Sequence, residues 1–188
     1  MPAEVEIKFC IDDISSLAGK LRSVGFRLIT ERTHEMNTLY DQPAKPLHSR
    51  GALLRIRQYG SNSTLTYKDK SVASERHKVR REVETSIANG PAMAEILACL
   101  GFAPTFIYEK FRSEWSDGKG HVVLDETPIG NFGEIEGPPE WIDATARALG
   151  ISDQQYIKDS YTELFASWKK RNGSSAQHMT FNPIRRSS

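Results

Sequence analysis

The stretch "EVEIKF", residues 4–9, sets Glu4, Glu6 and Lys8 on alternate positions with Val5, Ile7 and Phe9 between them. Successive side chains of a strand point to opposite faces, so such a segment has one charged and one apolar face. The same alternation returns at Arg55 and Arg57, Thr66 and Lys68, Arg80, Glu82 and Glu84, Lys110 and Arg112, and Glu134 and Glu136. Val5, Ile7, Leu54, Ile56, Leu65, Tyr67, Phe111 and Ile135 fall on the other face. Strands of this kind form a sheet whose apolar side is covered by helices, while its charged side meets water or encloses a polar cavity.

Helices are available for that cover. In "DDISSLAGKLRSVGF", Ile14, Leu17, Leu21 and Val24 recur at helical spacing, with Asp12 or Asp13 as N-cap and Gly25 as terminator. "GPAMAEILACLGF" repeats the design with Pro91 near its first turn and Gly101 at its end. The letters "LRSVGF" and "LACLGF" close these two helices, and each leads into a segment of strand character, so the chain carries two similar halves. "ALLRIRQYG" and "STLTYKDK" read as a hairpin, "TFIYEKFRSEW" and "HVVLDE" as strands around the turn "SDGKG", and "GEIEG" as a further short strand. "PPEWIDATARALG" and "DSYTELFASWKK" read as helices. Residues 41–51, with two prolines, suit a loop that could close over a ligand. Residues 172–188 form a Ser-rich basic stretch whose low apolar content predicts a disordered tail after a single domain at 1–171.

Charge narrows the function. Lys and Arg total 25 and Asp and Glu 24, a net charge of +1 that gives no global pull toward nucleic acid or membranes. The N-terminus lacks a basic n-region with an apolar run, and no window suits a membrane span, so a cytoplasmic protein is expected, with no specific nucleic-acid partner. Cys10 and Cys99 stand far apart in no metal or redox spacing, and the five histidines are scattered, which argues against zinc and disulfide scaffolds. No Gly-rich phosphate loop is present. The strand charges are sorted by sign instead. Acids concentrate on the first and last strands, and Arg55, Arg57, Lys68, Lys110 and Arg112 lie between them. A curled sheet with a basic wall for phosphates and an acidic wall for a hard cation such as Mg²⁺ or Mn²⁺ accounts for that sorting. The number of cations exceeds what one phosphate needs and suits a triphosphate chelated to metal.

"EVEIK" resembles the E-x-E-x-K signature of the CYTH superfamily, the triphosphate tunnel metalloenzymes, which include class IV adenylate cyclases, thiamine triphosphatases and inorganic tripolyphosphatases. "LLRIR", "LTYKDK", "RREVE", "EKFR", "LDETPIGNFGEIEG" and "KDSYTELF" resemble the family's later blocks in the same order, over residues 4–168. The resemblance implies an α+β fold, a closed eight-stranded antiparallel β-barrel with helices packed outside and the site in its lumen. It implies Glu4, Glu6, Asp125, Glu134 and Glu136 as metal ligands, and Lys8, Arg55, Arg57, Lys68, Arg80, Lys110, Arg112 and Lys158 as phosphate-binding residues. Lys8, Arg57, Lys110 and Glu136 would be the catalytic core of that set. The block spacing and the "KDSYTELF" ending are more similar to the class IV cyclase branch, which makes ATP the expected substrate and cyclic AMP and pyrophosphate the products. Hydrolysis of tripolyphosphate, thiamine triphosphate or a nucleoside triphosphate is the alternative, and a non-catalytic nucleotide- or polyphosphate-binding module a third reading. A homodimer is a further expectation for the chain.

Overall fold

A computed structural model describes residues 3–71 and 77–182, the side chains of Ala3 and Glu4 excepted. Its eight strands are β1 (Ala3–Ile11), β2 (Arg27–Asp41), β3 (Leu53–Tyr59), β4 (Asn62–Lys68), β5 (Lys78–Ile87), β6 (Ala103–Ser116), β7 (His121–Thr127) and β8 (Gly130–Glu136). They close into an antiparallel barrel in the order β1-β5-β4-β3-β2-β6-β7-β8. The helices are α1 (Ile14–Ser23), α2 (Pro46–Ser49), α3 (Gly90–Cys99), α4 (Pro139–Leu149) and α5 (Tyr161–Asn172). Among the described residues no helix is long and apolar enough to cross a membrane. The α+β barrel expected from the sequence is the fold observed.

The two halves repeat down to their caps. Asp13 and Asn89 each accept a hydrogen bond from the amide three residues on, at 3.0 Å in both, and so open α1 and α3. Gly25 and Gly101 take positive φ values of 94° and 82°, which turn the chain out of each helix. The following Phe26 and Phe102 donate back to the carbonyls of Leu21 and Leu97 at 3.0 and 2.9 Å. Leu21 and Leu97 are then buried against the barrel's outer face.

That face carries the apolar half of each strand. Ile7, Phe9, Val122, Leu124 and Ile135 pack with Leu17 and Leu21 of α1 and Ile142, Ala146 and Leu149 of α4. Leu54, Ile56, Leu65 and Ile87 pack under Leu97, Met93 and Ala94 of α3. The helices thus bury the outside and leave the charged set for the interior, because a barrel strand alternates between the two.

Helix α5 lies elsewhere. Tyr161 and Phe165 pack with Phe106, Tyr108 and Phe132 and with Met179 of the segment after the helix. The expectation of a disordered tail is corrected here for residues 173–182. Met179 is fully buried, its amide donates to Ile107 at 3.0 Å, and its carbonyl accepts from Glu109 at 3.0 Å, so the chain adds a parallel bridge to β6. The rings of His178 and Phe181 meet those of Phe106 and Phe111 in tilted contacts. Three well-placed side chains suffice where a docking surface already exists, which average composition does not register. Residues 183–188 lie outside the described part.

Candidate active site

The strand registers decide which charges meet in the lumen. Glu6 stands opposite Glu136 and Lys8 opposite Glu134 across β1 and β8, and Glu35 opposite Lys110 across β2 and β6. Arg112 faces Asp125, Arg57 faces Thr64, and Thr66 faces Glu84. The cavity they enclose holds about 350 Å³ and is lined by Glu6, Lys8, Arg55, Arg57, Lys68, Arg80, Lys110, Arg112, Glu134 and Glu136 among others. Of the metal- and phosphate-binding candidates named from the sequence, these ten converge, and Glu82 and Glu84 line the same cavity. The side chain of Glu4 lies outside the described part. Lys158 lies instead along a neighbouring cavity, and Asp125 lies beneath the lumen wall.

The sorting by sign holds on one side only. Glu6, Glu134 and Glu136 form an acidic wall because closure of the barrel sets β1 beside β8. The basic side is interleaved with acids of its own. Arg57 makes a two-point contact with Glu84 at 2.9 and 3.0 Å, and Lys68 pairs with Glu82 at 2.7 Å. Lys78 pairs with Glu6 at 3.0 Å and Lys8 with Glu134 at 3.2 Å. Arg80 donates to the carbonyls of Asp69 and Gly51. Without these partners so many cations would repel one another at close range.

Asp125 departs from its expected role. It is fully buried, and its carboxylate accepts from Lys110 at 2.9 Å, from Arg112 at 2.7 and 2.6 Å, and from the hydroxyl of Tyr161 at 2.6 Å. Four donors leave little room on two oxygens for a metal. Its geometry is that of a counter-charge which fixes Lys110 and Arg112.

Glu35 was not singled out by the sequence. It sits fully buried on β2, accepts from Asn37 at 2.9 Å, and lies 3.4 Å from Lys110 and 3.9 Å from Arg112. Burial acts to raise its pKa, but Lys110, Arg112, Arg55 and Arg57 outweigh that and hold it down at about 2. The available signal was the period-two set Glu35, Asn37 and Leu39 in "EMNTL", which places a carboxylate on the inward face. Glu35 Oε2, Asn37 Oδ1 and Arg55 Nε are buried with no hydrogen-bond partner among the described residues, a cost tolerated where a ligand or water completes the site.

Tyr161 was also missed as an individual residue. Its ring lies under the ammonium groups of Lys8 and Lys110, at 4.6 and 4.9 Å from the centroid, and stacks near Tyr108. Burial, followed by Asp125 and Glu134, raises its hydroxyl well above the ordinary range, so it remains a donor. Lys8 is raised in spite of burial, because Glu134 and Glu6 favour its charged form. Glu134 is lowered well below the usual carboxylate range, since Lys8 and Arg112 outweigh the penalty of burial. Burial is thus outweighed by opposite charge at Lys8, Glu134 and Glu35, and each is held in its charged form.

Among the described residues no three His, Cys, Asp or Glu side chains already gather as a metal cluster. The donor chemistry nevertheless fits a hard cation, because Glu6, Glu134 and Glu136 offer carboxylate oxygens side by side on one lumen wall.

The profile of the CYTH domain family matches residues 2–161. The chain belongs to that family. It is 30% identical over 172 residues to a candidate adenylate cyclase of Methanocaldococcus jannaschii, covering 86% of this chain and 97% of that one. It is 25% identical over 172 residues to adenylate cyclase CyaB of Aeromonas hydrophila, with 86% and 87% covered. A solved structure of a candidate adenylate cyclase from Vibrio parahaemolyticus superposes with a TM-score of 0.79 at 20% identity, over 88% of this chain and 98% of that one. That last likeness concerns the fold. Membership of the CYTH family implies dependence on a divalent metal, and a triphosphate substrate fits it.

Proposed function

We propose that this CYTH protein binds a nucleoside triphosphate with Mg²⁺ or Mn²⁺ in its barrel lumen and converts ATP to cyclic AMP and pyrophosphate. The observation that carries this is the convergence of Lys8, Arg55, Arg57, Lys68, Arg80, Lys110 and Arg112 on one cavity that also presents Glu6, Glu134 and Glu136. The names of the two curated relatives favour cyclisation over hydrolysis.

Glu6, Glu134 and Glu136, with Glu4 as a further candidate, would hold the metal. When bound, it neutralises phosphate charge and lowers the barrier to displacement at phosphorus. Arg55 and Arg57 on β3, with Lys68 and Arg80 beside them, bind the outer phosphates. Lys8, Lys110 and Arg112 stabilise charge that grows on the departing oxygen. The ribose 3′-hydroxyl oxygen forms its bond to the α-phosphorus as the bond from that phosphorus to the bridging oxygen breaks. The hydroxyl proton ends on the pyrophosphate. Lys158 would meet the ligand from the adjoining cavity.

A second reading replaces the ribose hydroxyl by water and gives a diphosphate and orthophosphate, with the same charged residues. A module that binds without turnover is disfavoured, because a polyanion held without metal gains nothing from the acidic wall of Glu6, Glu134 and Glu136. Chromatography of products from ATP and from tripolyphosphate, each with Mg²⁺, Mn²⁺ or chelator, separates the three. Cyclic AMP with pyrophosphate is the expected result. Orthophosphate with the matching diphosphate and no cyclic AMP makes the protein a triphosphatase, and no metal-dependent turnover of either overturns both enzymatic readings for these substrates.

A further inference from the structure

Strand β6 outruns its neighbour on one side. β2 pairs with it from end to end, but β7 pairs only with Phe111 to Ser116, which leaves residues 103–110 free of β7. An open edge presents amides and carbonyls that need partners, and here the chain supplies its own. Gly173, φ 62°, ends α5 and turns the chain, and residues 178–181 return along that edge. The Ile107 amide donates to His178 Nδ1 at 3.2 Å. The Met179 amide donates to the Ile107 carbonyl, and the Glu109 amide to the Met179 carbonyl, at 3.0 Å each. The Phe181 amide donates to the Glu109 carboxylate at 2.7 Å. This strap lies beyond residue 161, where the match to the CYTH family ends.

The strap reaches the site through one side chain. Met179 is fully buried, and as the bridge partner of Tyr108 it presents its side chain to the same face of the sheet. It packs in one cluster with Phe106, Tyr108, Phe132, Tyr161 and Phe165. Tyr108 stacks near both Phe106 and Tyr161, with ring centroids 5.8 Å apart in each pair. A thioether among such rings fills the gaps between them and makes favourable sulfur contacts, so the place of the Tyr108 ring depends on it.

Tyr108 in turn carries the cluster to a lumen cation. Its hydroxyl accepts from Arg55 Nη1 at 3.4 Å, and the Thr66 hydroxyl accepts from Arg55 Nη2 at 3.3 Å. Carboxylates stand further off, Glu84 at 3.7 Å and Glu82 at 3.9 Å, and Arg55 Nε has no hydrogen-bond partner among the described residues. Neighbouring cations are held otherwise. Arg57 pairs with Glu84 at 2.9 Å, and Asp125 pairs with Lys110 at 2.9 Å and Arg112 at 2.6 Å. Close ion pairs fix those three, whereas Arg55 is fixed by two neutral hydroxyls and so by the packing that sets them. We propose that Met179 is a positioning residue for triphosphate binding, which acts through Tyr108 to hold Arg55 where the outer phosphates meet it. The strap thereby belongs to the working site, although none of its described residues lines the lumen. The inference rests on the triphosphate reading of the lumen.

The test is calorimetric titration of the whole chain with tripolyphosphate in the presence of Mg²⁺, for the unaltered protein and three variants. Met179→Ala opens a cavity behind Tyr108 and should weaken binding by about tenfold, the scale of one misplaced charge-assisted contact. Met179→Leu nearly conserves the volume and should bind within about twofold of the unaltered protein. Leu149→Ala opens a cavity of the same kind in the core under α4, among residues that do not line the lumen. It should lower Tm about as far as Met179→Ala does and still bind within about twofold. Should Met179→Ala fail to fold, Met179→Val takes its place, with a weakening of about threefold expected. Unchanged affinity in the Met179→Ala or Met179→Val protein overturns this inference alone. So does an equal loss in Leu149→Ala, or a loss in Met179→Leu as large as in the smaller replacement. Failure of tripolyphosphate to bind the unaltered protein overturns the triphosphate reading and this inference with it.

Discussion

Arg112 and Asp125 face each other across β6 and β7 in a two-point ion pair, with Nε to Oδ1 at 2.7 Å and a terminal guanidinium nitrogen to Oδ2 at 2.6 Å. The same guanidinium reaches Glu134 at 2.5 Å, so a single side chain joins the buried counter-charge to the acidic wall. Burial alone would lower the pKa of Arg112, but Asp125, Glu134 and Glu35 raise it, and its charge is fixed at every accessible pH.

Asp125→Asn should therefore act on stability and not on metal binding. Breaking a buried pair by neutralising one partner costs about 3 kcal/mol or more. Urea unfolding should show that loss, while the metal concentration for half-maximal stabilisation stays unchanged. A weakened metal response comparable to that of a Glu6 variant would return Asp125 to the ligand set.

Glu6→Gln should separate the two properties in the opposite sense. Glu6 is partly exposed to the lumen and contacts Lys78 at 3.0 Å, so its loss disturbs little packing. Metal-dependent turnover should drop by about a hundredfold or more, with Tm changed by only a few degrees. Full activity in this variant would remove Glu6 from the metal site.

Glu35 sets an acid limb. Its folded pKa, about 2, lies below the ordinary 4.5, so its contribution to stability is complete above that ordinary value. It is lost progressively as the pH falls through 4.5 toward 2. Chemical denaturation across that window should show a shallower acid loss for Glu35→Gln than for the unaltered protein. Identical slopes would mean that Glu35 is not held ionised by its four cations.

Gly133→Ala tests the wall from outside. Gly133 stands opposite Phe9 on the covered face of the barrel, and a Cβ there would collide with the Phe9 ring, which is itself buried. Overpacking of this kind costs about 2 kcal/mol. Denaturant midpoints should fall accordingly, with metal affinity retained. An unchanged midpoint would show that Phe9 can swing aside.

Period-two charge was the most informative part of the chain. It placed Glu6, Lys8, Arg55, Arg57, Lys110, Arg112, Glu134 and Glu136 on one surface, and all of them line the lumen. Glu35 escaped because its long strand, Arg27–Asp41, carries polar residues at both parities, Arg32 and His34 as well as Glu31 and Glu35, which blurs the alternation. Tyr161 escaped because a helix N-terminus carries no sign that its side chain enters a barrel. The segment around Met179 was misjudged for a related reason, since a few apolar residues become structure only against a surface made by distant strands.

Spacing along one chain is enough to set the inward and outward faces of the strands, the two helix-capped halves and the chemical character of the cavity. Tertiary structure alone decided which opposite charges are partners. Closure of the barrel sets β1 beside β8 and β2 beside β6, and only then does Asp125 become a buried counter-charge while Glu6 and Glu136 face each other at the lumen wall. Electrostatic roles depend on distance in three dimensions, and residues far apart in sequence acquire theirs when the sheet closes.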